Sequence, residues 1–153
     1  MLFRSQDDWL ERFGGGKPVI LVGWSLGGIF ARELAKVRPD LVEKVVTMGS
    51  PFSGDPKQNN VWRLYELVAG HKVDKPPVAY FAHKPPVPTL ALWSRKDGIV
   101  APTAAMGREG EADKVVELDC GHMAFGSSMR ATRAAVHEIR LFLDEQEDPE
   151  SRH

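Results

Sequence analysis

One serine, set among glycines where an apolar run meets a helical pattern, constrains this chain more than any other feature. Val19-Ile20-Leu21-Val22 leads straight into Gly23-Trp24-Ser25-Leu26-Gly27-Gly28. Leu26, Phe30, Leu34 and Val37 then recur at helical spacing. The stretch therefore reads as strand, very sharp turn and helix, with Ser25 at the apex. Lifting a hydroxyl clear of a sheet requires a strained backbone there. Side chains two positions before and after the serine would collide, which accounts for Gly23 and Gly27. Gly28 lets the helix approach the strand closely. Ser25 also stands at a helix N-terminus, where the dipole and the free Leu26 N–H can stabilise an oxyanion. A glycine-rich βα turn that binds phosphate or merely packs shares the Gly-x-Ser-x-Gly string; the flanking strand and helix are what favour the strained turn.

The strand, turn and helix around Ser25 form the nucleophile elbow of the α/β-hydrolases, and the chain resembles that superfamily. The resemblance runs from Trp9 onward and covers the second half of the superfamily's domain. It implies an α/β fold, a parallel sheet flanked by helices. It also implies that 1–153 is one partial domain, the C-terminal portion of a longer enzyme. Only about 18 residues precede the elbow strand, whereas the superfamily places several strands there, in domains of roughly 200–250 residues. Met1 to Arg4 are set aside as resembling a translated adapter.

Along the chain, Ser5-Gln6-Asp7-Asp8 suggests a helix start, with Trp9, Leu10 and Phe13 on one face and Gly14-Gly15-Gly16 as its stop. Pro18 opens the elbow strand. Val45 to Met48 reads as the next strand, and its continuation Gly49-Ser50-Pro51-Phe52 has a lipase-like character. Residues 53–88 are proline-rich, with a short helix over 60–69 and Val61, Leu64, Tyr65 and Val68 on one side. They read as a small cap or as an irregular connection. Trp24, Phe52, Trp62 and Tyr65 are candidate substrate-pocket walls, although aromatics at such spacing also serve as core. Thr89 to Ser94 and Val115 to Leu118 read as further strands. A final helix runs from about Ser128 to Asp144, burying Ala135, Val136, Ile139 and Phe142.

Two loops follow these later strands, Arg95-Lys96-Asp97-Gly98 and Asp119-Cys120-Gly121-His122. Ser25, Asp97 and His122 thus end three strands, in the order Ser, Asp, His that the superfamily uses. Ser25 needs a base to become nucleophilic. His122 has the right acid–base range, and Asp97 would fix its tautomer. Asp119 competes as the acid, and His71, His83 and His137 compete as the base. Cys120 reads as a small buried side chain.

The resemblance implies a serine hydrolase of carboxylic esters, carboxylesterase-like or lipase-like, using no cofactor and no metal. Its substrate would be a small-molecule or lipid ester. Acyl transfer on the same fold and a non-catalytic, ligand-binding fragment are the rivals. In the superfamily a second oxyanion donor comes from an upstream loop, which leaves Leu26 N–H alone here.

Charge supports no nucleic-acid partner, since 20 Lys and Arg balance 21 Asp and Glu. One cysteine excludes an intrachain disulfide. No apolar run reaches the roughly 20 residues of a membrane span. No signal peptide is visible, so the cytoplasm is the default compartment unless a missing N-terminus carried a leader. Without an upstream neighbour, Val19 to Val22 should form an exposed sheet edge prone to self-association.

Overall fold

The structure is a computed structural model and describes residues 4–54, 61, 64–66, 70 and 82–145. Strands β1 (Val19–Trp24), β2 (Val42–Met48), β3 (Thr89–Trp93) and β4 (Lys114–Glu117) form one sheet in the order β1-β2-β3-β4. All three pairings are parallel. Helix α1 (Arg4–Gly14) precedes β1, and α2 (Leu26–Val37) joins β1 to β2. The short α3 (Pro102–Met106) joins β3 to β4, and α4 (Ala124–Ser127) and α5 (Met129–Glu145) close the described chain. Residues 61 and 64–66 are also helical.

Parallel strands need crossovers, and crossovers bury both faces of the sheet. Val42, Val45, Val46, Leu90 and Leu92 are accordingly buried almost completely. Val45 packs with Leu10 of α1 and with Ala31, Leu34 and Ala35 of α2. Val46, Leu90 and Leu92 face the other way, onto Ala131, Ala135 and Phe142 of α5. Each large side chain fully buried in these layers contributes about 1.5–3 kcal/mol relative to exposure. A third cluster joins Leu26 and Ile29 to Val61, Leu64, Tyr65, Val100, Ala104 and Ala105, at the end of the sheet where the strands finish.

Several sequence expectations are corrected at the periphery. Trp9 is exposed while Leu10 carries the inward face of α1. Val37 and Val136 are exposed too. Val37 is the last residue of α2, past the area the sheet covers. Val136 lies on the outer side of α5, whose inward stripe is Ala131, Ala135 and Phe142. Of the cap expected over 53–88, most lies outside the described residues, as do Trp62, Val68 and His71.

Among the described residues, β1 pairs with β2 alone, so its other side is an open edge. Ile20 and Val22 are 37% and 49% exposed there. An apolar edge without charge templates pairing with another strand. We expect the 153-residue chain to self-associate in sedimentation, and Val22→Lys to shift it toward monomer. A wild-type chain that stays monomeric at high concentration would refute the edge as an association site.

Candidate active site

The elbow is built as its glycines require. Ser25 has φ 55° and ψ −124°, and it is the one non-glycine residue with positive φ among those described. Such a backbone costs of order 1–3 kcal/mol and persists only where its surroundings hold it. A Cβ on Gly23 would lie 2.4 Å from the backbone of Gly27 and Gly28. A Cβ on Gly28 would lie 1.9 Å from Ser50 Oγ. Gly27 differs from expectation: a Cβ there would meet nothing within 4 Å. The crowding is carried by the Gly27 backbone against Gly23, not by a missing Gly27 side chain. The Ser25 N–H donates to Met48 O at 2.9 Å, which ties the apex to the end of β2. Leu26 is the first residue of α2, so its N–H has no acceptor within the helix ladder.

The sheet brings Ser25, Asp97 and His122 together. His122 Nε2 lies 3.0 Å from Ser25 Oγ, and Nδ1 lies 2.8 Å from Asp97 Oδ2. Asp97 Oδ1 accepts from the N–H groups of Ile99 at 3.0 Å and Val100 at 2.6 Å. An ionised carboxylate only accepts, so the geometry fits Nδ1–H donating to Asp97 and Nε2 accepting the Ser25 hydroxyl proton. Both Asp97 and His122 are buried, 4% exposed each. Asp119 points elsewhere: it is exposed and pairs with Lys96 at 2.6 Å, which lowers its pKa. His83 and His137 are exposed, and neither is bonded to Ser25 or Asp97 in the Ser25–His122–Asp97 line. Cys120 is buried, and burial together with Asp97 and Asp119 raises its thiol pKa.

Two loops set the His–Asp geometry. His122 N–H donates to Asp97 O at 2.9 Å, and Leu118 N–H to Trp93 O at 2.7 Å. The buried Ser94 Oγ accepts from Lys96 N–H at 3.1 Å and from Cys120 N–H at 3.4 Å. Arg95 and Glu117 pair across the outside. A third loop lies beneath the pair. Gly49 has φ 54°, and a Cβ there would stand 2.9 Å from Asp97 Oδ2 and 3.3 Å from His122 Nδ1. Sequence reasoning placed Gly49 in a loop without a role; a Gly-Ser-Pro string after a strand marks the turn but not what lies over it.

Of the candidate pocket walls, Trp24 and Tyr65 line a cavity of about 640 Å³ together with Ser25, Leu26, Gly27, Phe30, Leu64, Ile99, His122 and Met123. Trp24 Nε1–H donates to His122 O at 3.2 Å, and its ring lies 5.6 Å from the imidazole. Phe52 does not line this cavity. It is fully buried, with the Arg32 guanidinium 4.0 Å above its ring. Arg32 was not foreseen at all. It is a buried cation inside the elbow helix, and its Nη2 donates to the carbonyls of Ala82, His83 and Glu111. Burial pulls its pKa down to about 10, against the pull of Glu111 and Glu33, so it stays charged at neutral pH. Among the described residues no group of three or more His, Cys, Asp or Glu could hold a metal ion.

A family model described as the alpha/beta hydrolase fold matches residues 4–75. The chain has the α/β-hydrolase fold. Solved structures extend the match into the second half of the chain. A monoacylglycerol lipase from Paleococcus ferrophilus superposes with TM-score 0.63 at 17% identity, covering 94% of this chain and 74% of that one. An alpha/beta hydrolase enzyme from a sediment metagenome of the Mar Chica lagoon, Morocco, gives 0.63 at 24% identity, covering 92% and 68%. A meta-cleavage product hydrolase from Pseudomonas fluorescens gives 0.62 at 16% identity, covering 92% and 72%. Among curated proteins none matches. Among the described residues no helix is long and apolar enough to cross a membrane.

The glycines yield a contrast to test by thermal unfolding. Gly27→Ala places a methyl group in open space on a helix and should hold or raise stability, by up to about 1 kcal/mol. Gly28→Ala and Gly49→Ala should each lower it by more than about 2 kcal/mol, through overpacking and, at Gly49, the positive φ. Equal effects at all three positions would contradict the contacts described. Cys120 should resist iodoacetamide at neutral pH until the protein is unfolded, since a buried thiol with a raised pKa supplies little thiolate. Rapid modification of the native protein would show the thiol to be open.

Proposed function

We propose that the protein is a serine hydrolase of carboxylic esters and that Ser25, His122 and Asp97 act as its catalytic triad. The observation that carries this reading is the unbroken hydrogen-bonded line Ser25–His122–Asp97 at the wall of an apolar cavity. His122 Nε2 takes the proton of Ser25 as Oγ attacks the ester carbonyl. Asp97 holds the imidazole in the tautomer that can accept, then stabilises the imidazolium. The developing oxyanion is met by the Leu26 N–H at the start of α2. One such donor is worth about 2.7–4 kcal/mol in serine hydrolases. Collapse of the tetrahedral intermediate passes the proton to the leaving alcohol and leaves an acyl group on Ser25. Water, deprotonated by His122, releases the acid and restores the serine. Among the superposed structures the monoacylglycerol lipase supports this class of reaction, and the other two are hydrolases.

The test is a fluorophosphonate probe and a nitrophenyl ester. Ser25 should be the residue labelled, and Ser25→Ala or His122→Ala should lower turnover by several orders of magnitude. Asp97→Asn should lose roughly 10⁴-fold by favouring the wrong tautomer. Unchanged hydrolysis by Ser25→Ala would remove the serine mechanism.

A further inference from the structure

The polar inventory of the cavity is the starting point. Among the described residues that line it, no side chain is charged, save His122 when protonated. Leu26, Phe30, Leu64, Ile99, Met123 and the Trp24 ring supply its surface. Its polar atoms are already assigned. Ser25 Oγ and His122 Nε2 face each other, and Trp24 Nε1–H is committed to His122 O. The Tyr65 hydroxyl is buried without a hydrogen-bond partner, but it has no accessible surface from which to reach a ligand. Burial raises its pKa, so it stays neutral. Asp97, the carboxylate bonded to His122, is buried behind it and occupied by three N–H donors. The apolar wall continues outward, because Ile99 and Met123 line the cavity and are also 48% and 59% exposed.

Such a wall gains from burying methylenes, and its described residues offer nothing to repay a desolvated charge. We propose that it selects esters whose cavity-bound group is an uncharged, unsubstituted hydrocarbon chain, and rejects chains ending in a carboxylate or an ammonium. Ile99 and Met123 extend the apolar contact at the mouth and so favour the longer chains. This specificity rests on the serine-esterase reading above and refines it.

The experiment compares nitrophenyl butanoate with nitrophenyl octanoate, and then with two octanoate analogues bearing a terminal carboxylate or a terminal ammonium. Each of the four additional buried methylenes should raise kcat/KM by about fourfold, so octanoate should exceed butanoate by roughly 250-fold. Both charged analogues should fall to butanoate's level or below. A flat chain-length profile, or acceptance of either charged analogue, would overturn the proposal. In the Ile99→Ser, Met123→Ser double variant the ratio of octanoate to butanoate should drop at least fivefold, and an unchanged ratio would refute the role given to the mouth. Binding separates this inference from the reading it rests on. Octanol, 8-aminooctanol and 8-hydroxyoctanoate are titrated against the protein by intrinsic fluorescence, with Trp24→Phe as control. If Ser25 stays unlabelled and no ester is cleaved, the hydrolase reading falls. Octanol binding at least tenfold tighter than both charged ligands would still uphold the cavity's selectivity, and equal or absent binding would overturn it.

Discussion

The structure depends on a strained residue being held in place. With φ 55° and ψ −124°, Ser25 sits in a backbone region that L-residues avoid, and nothing local to it repays the cost. The surroundings hold it instead. Met48 O receives its N–H, Gly23 allows the Gly27 backbone to close over the turn, and Gly28 makes room for Ser50. Ser50 is itself completely buried, with its hydroxyl near the Gly23 and Met48 carbonyls. The apex is thus clamped between its own helix and the loop after β2. A substitution in either would release the strain, and the serine hydroxyl would leave the position from which it meets His122.

The parallel sheet converts this local strain into a site. All four strands run the same way, so the loops after β1, β2, β3 and β4 emerge at one end. Ser25, Gly49, Asp97 and His122 follow those strands in turn. Their relative heights are fixed by strand register and by the cross-loop bonds through Ser94 and the Asp97 carbonyl. The exposed pairs Arg95–Glu117 and Lys96–Asp119 span the same two loops, but such surface pairs add little, typically less than about 1 kcal/mol. The buried hydroxyl and the backbone bonds are the more effective restraints.

What could be read in the sequence was whatever is encoded locally. The elbow announces itself because strand, glycines and helix are contiguous. Asp97-Gly98 and Gly121-His122 were legible because each follows an apolar strand. The geometry then separated Asp97 from Asp119, which three residues of spacing could only suggest. The features missed are those whose partners lie far along the chain. Arg32 reads as a helix-surface cation until the carbonyls of Ala82, His83 and Glu111 and the Phe52 ring enclose it. Phe52 reads as a pocket wall because it is aromatic and follows a strand, yet it serves as the floor under that cation. Gly27 was assigned a steric need that belongs to Gly23. Val37 and Val136 fit the helical period but fall where the sheet no longer covers them.

The edge position of β1 bears on how stiffly Ser25 can be held. Among the described residues only β2 pairs with β1, and the register shifts between Val19 and Ile20. Support for Ser25 therefore comes from one side of the sheet and from α2 above it. On that side the restraints converge on a short stretch. Met48 receives the Ser25 N–H, Gly49 underlies Asp97 and His122, Ser50 fills the space left by Gly28, and Phe52 is pinned by Arg32. Gly49 N–H is fixed in turn by Leu92 O of β3 at 2.9 Å. The loop after β2 supplies no member of the Ser–His–Asp line, yet it touches the supports of all three. A disturbance there moves Ser25 and His122 together, whereas one at Asp97 or His122 leaves the elbow standing.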